Sequence, residues 1–266
     1  MEIDTSRGRM ELLDAGAGSP LVMLLHPFPF TADVWSDQLR TLTARRRVVA
    51  PNLRGFGRSG PFDAATPPSV DAMADDMVAL LDAVAPGMPV VLGGVSMGGY
   101  VALAFARRHP ERLRALILAD TRAEPDDAEA RDKRNASIAR VQAGDVTGFV
   151  DDMLEKLAGK TTRAERPDVV RRLRDLMLQT SPATLSAALA ALRDRPDARP
   201  HLSAIRVPTL VIVGAEDVVT PPAAAEVMKK AIPRATLVTV EGAGHLSNVE
   251  APARFDEAVE RFLAAL

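Results

Sequence analysis

Short apolar runs alternate with helical stripes along this chain. The runs PLVMLLH (20–26), RVVAPN (47–52), PVVLGGV (89–95), LRALILAD (113–120), PTLVIVG (208–214) and ATLVTV (235–240) are rich in Val, Ile and Leu and are bounded by Pro, Gly or charge. Runs of this kind read as strands buried on both faces. Between them, helical patterns cover 32–44, 69–85, 97–109, 221–231 and 251–265. Ser69 is placed to cap the second of these, and Pro252 falls at a helix start, where its missing N–H costs little. Strand–helix alternation over this length predicts an α/β fold, a mostly parallel sheet of about eight strands with helices on both faces. Residues 1–14 read as an antiparallel edge hairpin.

One segment breaks the alternation. From Arg122 to Pro200 there is no strand signal, only helical stripes. Val146, Phe149, Val150, Met153, Leu154 and Leu157 recur on one helical face; Val169, Val170, Leu173, Leu176 and Met177 recur on another. Ser181 and Pro182 form a cap and first-turn proline ahead of Leu185, Leu189 and Leu192. The expected organisation is therefore a core of residues 1–121 and 201–266, interrupted by a helical insertion over 122–200. Those stripes cover either one another, as a self-contained layer, or a pocket at the carboxyl ends of the strands, where open α/β sheets bind ligands.

Composition narrows the partners. The chain has 266 residues, 47% of them hydrophobic and 26% charged, with a net charge of -2. That suffices for one large domain with an insertion. Near-balanced charge argues against a nucleic-acid surface or a polybasic membrane patch. No apolar run is long enough for a membrane span, and MEIDTSRGRMELLDAG lacks the apolar centre of a signal peptide, so the expected compartment is the cytoplasm. The absence of cysteine excludes disulfides and thiolate metal sites.

The stretch GGVSMGG (93–99) raises the question of chemistry. Glycine is costly inside an ordinary strand or helix, yet four of them surround one serine here. The plainer reading is a tight strand-to-helix turn; the sharper one is an exposed nucleophile. A serine hydroxyl attacks only when a base takes its proton and donors hold the resulting oxyanion. Four histidines could supply the base. His109 closes a helix in RRHPERL, His201 lies beside Pro200 at the exit of the insertion, and His26 precedes Pro27 at a strand end. His245, in EGAGHLSNVE, follows the last strand and precedes the last helix, which makes it the best base. Its orienting carboxylate is assigned to Asp217, in VIVGAEDVVTPP, at the same end of the sheet. The adjacent Glu216 points away, and Asp120, after LRALILA, stays as the alternative strand-end acid.

The order Ser96, Asp217, His245 is the nucleophile–acid–base order of the α/β-hydrolases. HPFPFTADVW, NLRGFGRSG, GGVSMGGYVALAFARRHPERL, GAEDVVTPP and GAGHLSNVE each fall where that family has a motif, so the chain resembles it over nearly its whole length. Within the family it looks most like small bacterial carboxylesterases, aryl-esterase/perhydrolases and 3-oxoadipate enol-lactone hydrolases with a helical cap. The resemblance implies an α/β-hydrolase fold and an elbow in which Gly94 and Gly98 leave room for Ser96. It assigns the oxyanion donors to the N–H groups of Met97 and Phe28. The family's usual His-Gly pair is His26-Pro27 here, but the donor needed is that of Phe28. Pro29 resembles the perhydrolases, in which the carbonyl before the proline accepts a hydrogen bond from hydrogen peroxide.

The implied activity is a serine hydrolase of small to medium carboxylic esters, working through an acyl-enzyme on Ser96. Lactone hydrolysis is the alternative, with perhydrolysis as a side activity. No cofactor, metal, nucleic acid or membrane partner is implied; the partner is a small-molecule ester or lactone. A carbon–carbon bond hydrolase or peptidase would use the same three residues, and a non-catalytic receptor would keep the fold. Dehalogenases and epoxide hydrolases need a carboxylate where Ser96 stands. GFGRSG (55–60) matches a dinucleotide-binding pattern, but PFDAATPPS follows it instead of a helix, so no helix N-terminus is offered to a pyrophosphate. Expected substrate contacts are Pro29, Phe149, Met153, Leu157 and Trp35, the last either lining the pocket or packing the first helix on the sheet.

Overall fold

The computed structural model describes residues 1–63 and 66–266. Its strands are β1 (Glu2–Thr5), β2 (Gly8–Ala15), β3 (Val22–Leu25), β4 (Val48–Pro51), β5 (Val90–Val95), β6 (Leu113–Ala119), β7 (Thr209–Gly214) and β8 (Ala235–Val240). They form one eight-stranded sheet in the order β1-β2-β4-β3-β5-β6-β7-β8. From β4 to β8 neighbouring strands are parallel, while β1 and β2 form an antiparallel hairpin on the β4 edge. Every residue of β3, β4, β5 and β7 is buried, which is why these segments read as unbroken apolar runs. At the far edge β8 is only partly covered.

Parallel strands need crossovers, and helices provide them. The helices are α1 (Ser36–Leu42), α2 (Val70–Val84), α3 (Met97–Arg108), α4 (Ala128–Gln142), α5 (Val146–Leu157), α6 (Lys160–Glu165), α7 (Pro167–Met177), α8 (Pro182–Arg193), α9 (Pro222–Ala231), α10 (Ser247–Glu250) and α11 (Pro252–Ala264). Ser69 caps α2 by accepting from the Ala72 N–H, and Pro252 opens α11. The expected helix over 32–44 is a 3-10 turn (Ala32–Trp35) followed by α1. Among the described residues no helix is long and apolar enough to cross a membrane.

Helices α4 to α8 lie between β6 and β7, where the strand signal fails. The stripe of α5 faces inward, with Phe149, Val150, Leu154 and Leu157 buried. Leu173 and Met177 do the same for α7, and Leu185, Leu189 and Leu192 for α8. Helix α4 has no such stripe: Val141 is its one buried residue. It is fixed instead by its Asp127 cap, its packing on α8, and a bond from Arg134 to the buried Asp126 carboxylate. Asp126 also takes Arg122 and Arg195, so three guanidiniums converge on one carboxylate at the root of the insertion.

The glycine-rich stretch after β4 turns on Gly55, at φ 84, and Gly57, at φ 54. Arg54 in this loop is buried on both oxygens of Asp76 in α2. The next helix begins only at Val70, so the loop presents no helix N-terminus.

Candidate active site

Strand β5 ends in the elbow. Ser96 has φ 51 and ψ -112, a sparsely populated conformation that costs about 1–3 kcal/mol and persists only where its surroundings fix it. Here Ser96 N–H donates to the Ala119 carbonyl at 3.0 Å, and Thr121 Oγ1 donates to the Ser96 carbonyl at 2.9 Å. A Cβ on Gly94 would run into the Gly98 backbone, and one on Gly98 into the Leu25 carbonyl. Both glycines are therefore required for the strand to turn directly into α3. The turn stands Ser96 at the N-terminus of α3, where the helix's free N–H groups favour negative charge.

His245 Nε2 lies 2.8 Å from Ser96 Oγ, and its Nδ1 lies 2.8 Å from Asp217 Oδ2. An ionised carboxylate only accepts, so Nδ1 carries the proton and Nε2 is left as the acceptor facing the serine. Asp217 in turn accepts from the Val219 and Thr220 N–H groups at 2.8 and 2.9 Å and from Thr220 Oγ1 at 2.8 Å. Burial pushes the Asp217 carboxyl up, but His245 and the Thr220 donors outweigh it and hold the group below its ordinary range. Burial likewise works against the imidazolium; Asp217 first, then Asp120 and Glu250, overcome it, and the His245 pKa is raised above 6.5. A neutral imidazole of raised basicity, 2.8 Å from a strained hydroxyl, can remove that hydroxyl's proton.

The loop after β3 brings the Phe28 N–H to the same end of the sheet. It is braced by His26, which is fully buried: Nε2 accepts from the Leu53 N–H and Nδ1–H donates to the Pro27 carbonyl. Burial, opposed by the bond to Pro27, lowers the His26 pKa to about 4, so this histidine is a neutral brace. Among the described residues neither the Phe28 nor the Met97 N–H has a protein acceptor.

Ser96 and His245 open into a cavity of about 260 Å³ between the strand ends and the insertion. Phe28, Tyr100 and Val219 line it from the core; Phe149, Met153, Leu157 and Leu192 line it from α5 and α8. Its mouth is polar, with Arg134, Ser137 and Arg140 on α4 and Asp152 and Lys156 on α5. The expected contacts Phe149, Met153 and Leu157 are thus beside the serine. Two others are placed elsewhere. Trp35 is buried and packs on Phe255, with ring centroids 6.1 Å apart, between the first helix and α11. Pro29 does not line the cavity, and its carbonyl accepts from Thr180 Oγ1 at 2.6 Å.

The remaining histidines fall away from the serine: His109 pairs with Asp75 on α2, and His201 borders a separate small cavity behind Tyr100. Asp120, the alternative acid, is buried beneath the site and bonds to Gly214 and Ser247. Sequence reasoning missed Tyr100, Thr220 and the polar mouth. Tyr100 stands one helical turn after Ser96, a spacing that could have pointed to it. Three of the five mouth residues sit on the solvent-facing α4, which carries no periodic signal, and the other two on the exposed face of α5.

Residues 20–252 match the family model described as the alpha/beta hydrolase fold, and the chain belongs to this family. It is 30% identical over 248 residues to 3-oxoadipate enol-lactonase 2 of Acinetobacter baylyi, covering 92% of this chain and 88% of that protein. It is 33% identical over 244 residues to the pimeloyl-[acyl-carrier protein] methyl ester esterase of Aromatoleum aromaticum, covering 85% of this chain and 91% of that one. Among solved structures it resembles a malate-bound thermophilic esterase from Thermogutta terrifontis at TM-score 0.94 and 36% identity, over 100% of this chain and 98% of that one.

Proposed function

We propose that this chain is a serine hydrolase of small to medium carboxylic esters, with Ser96, His245 and Asp217 as its catalytic residues. The observation that carries the reading is the unbroken chain Ser96 Oγ–His245–Asp217, with both links at 2.8 Å. His245 Nε2 takes the Ser96 proton as Oγ attacks the ester carbonyl. The oxyanion so formed is held by the N–H groups of Phe28 and Met97. The imidazolium, stabilised by Asp217, gives its proton to the departing alkoxide and leaves an acyl-serine. Water then attacks that acyl group, His245 takes the water's proton, and the collapse of the second oxyanion returns it to Ser96 Oγ as the acid departs. No cofactor or metal enters these steps.

The apolar walls supplied by Phe149, Met153, Leu157 and Leu192 suit an acyl or alkyl group of modest size. Lactones are the second reading, favoured by the name of the Acinetobacter relative. The same steps open a lactone, with the alkoxide still tethered to the acyl group. A peracid-forming side reaction would use the Phe28 carbonyl, the one before the proline, while that of Pro29 accepts from Thr180 Oγ1.

A panel of nitrophenyl esters and lactones, assayed with wild type and Ser96→Ala, tests the proposal. Removal of a nucleophile of this kind costs several orders of magnitude in rate. A Ser96→Ala variant that kept more than about a tenth of the activity would remove Ser96 from the mechanism. Wild-type protein inactive on the whole panel would favour a non-catalytic receptor.

A further inference from the structure

The corner after β6 carries no group that faces the cavity, yet it touches all three segments that bear the proposed catalytic residues. Ala119 accepts the Ser96 N–H, and Thr121 Oγ1 binds the Ser96 carbonyl. Between them Asp120 is fully buried and stands at φ 43, a left-handed conformation that is uncommon outside glycine. Its N–H donates to the Ile212 carbonyl of β7 at 2.9 Å. Its Oδ1 accepts from the Gly214 N–H at 2.8 Å, where β7 leaves the sheet toward Asp217. Its Oδ2 accepts from the Ser247 N–H at 2.9 Å and from Ser247 Oγ at 2.6 Å, two residues beyond His245.

We propose that Asp120 is a positioning residue, whose one carboxylate clamps the acid-bearing and base-bearing loops together beneath the Ser96 elbow. The proposal rests on the reading of Ser96, His245 and Asp217 given above. All three bonds point into the carboxylate, so the ionised form fits the site, and buried bonds to a charged group are among the stronger ones in a protein. A strained backbone at such a point is held by its surroundings and recurs at functional sites. Asp120 also acts through its charge. Burial, and then the nearby Asp217, push its carboxyl up to about 7, while His245 and Ser247 pull it down. The groups raising the His245 pKa are Asp217 after β7, Asp120 after β6 and Glu250 on α10. On the cavity side the insertion adds Arg134, Arg140, Asp152 and Lys156 at the mouth.

Asp120→Asn keeps the size of the side chain but removes its charge and turns one acceptor into a donor. That donor must face the Gly214 N–H or Ser247. At pH 8.5 kcat on a nitrophenyl ester should fall about tenfold, with KM within about twofold of wild type. The acid limb of the pH–rate profile should move to lower pH, because one of the charges favouring the His245 imidazolium is gone. A merely structural role would lower Tm without moving that limb. Ser247→Ala removes a single donor and should lower kcat by a smaller factor, also at constant KM. The Asp120→Asn/Ser247→Ala double variant should be no slower than Asp120→Asn alone, since both changes break one connection. Wild-type kcat and an unmoved acid limb in Asp120→Asn would overturn the proposal. If Asp120→Asn fails to fold, Ser247→Ala decides: unchanged kcat overturns it. The wild-type rate on the same ester tests the reading of Ser96 itself, whereas Asp120 is judged only from the ratio of variant to wild type.

Discussion

Ser96, Asp217 and His245 stand on short segments at the ends of β5, β7 and β8, where each of the three side chains has a buried partner. The insertion that covers them is assembled differently. Its outer joints are ion pairs on exposed or half-exposed side chains, such as Arg140 with Asp145 and Asp152, and Arg174 with Asp151. Pairs of that kind contribute little, because water and salt screen them. The core side therefore fixes Ser96, His245 and Asp217 through buried hydrogen bonds, and the insertion side supplies the apolar wall of the cavity. One of the joints between the two sides lies beside the histidine. His245 N–H donates to the Leu157 carbonyl at the end of α5, and the buried Glu250 accepts from both Gly159 and Leu246. There the wall of the cavity and the loop of the histidine share hydrogen bonds.

The comparison is broken most severely by a change on the core side. Asp217→Asn leaves His245 Nδ1 without its acceptor and favours the wrong tautomer, so kcat should fall by about 10³–10⁴-fold with the fold intact. A milder loss than that of Asp120→Asn, measured on the same ester, would move the acid to the end of β6.

Acidity gives the next effect. In the proposed mechanism His245 is a base only when neutral, and its pKa is raised because Asp217, Asp120 and Glu250 outweigh its burial. Activity is then full above the raised value and is lost as pH falls through it. The acid limb of kcat/KM should have its midpoint above 6.5. A midpoint at or below the ordinary histidine value would contradict the electrostatics of the site.

The smallest effect belongs to the insertion. Phe149→Ala empties part of the wall opposite Phe28, whose ring lies 6.4 Å away between centroids. The preferred ester should lengthen by a few carbons, with kcat/KM for short esters changed by about tenfold or less. A loss as deep as that of Asp217→Asn would erase the division of labour between the two sides.

The parts of this molecule legible in the sequence were those that local backbone physics dictates. Gly94 and Gly98 are forced by the clash of a Cβ with the backbone of the elbow. The buried strands announce themselves as apolar runs, and α5, α7 and α8 carry stripes because one face of each is covered. Helix α4 gave no signal, since a solvent-facing helix needs no stripe. Helices α6 and α10, of six and four residues, are too short to show a period. Asp120 is the sharpest case. Its place at a strand end made it look like a competing acid, and only the tertiary contacts to Gly214 and Ser247 give it another role. For Trp35 the sequence favoured packing of the first helix over the pocket, and its contact with Phe255, remote in sequence, decides for the core.

The central claim is that Ser96 Oγ is the nucleophile and His245 its base. Incubation with a fluorophosphonate, followed by mass spectrometry of the digested protein, tests it most directly. The account predicts one phosphonyl group per chain, on the peptide containing Ser96, attached more slowly as pH falls through the His245 titration and absent from Ser96→Ala. Label on any other serine, or none on wild-type protein that hydrolyses esters, would contradict it.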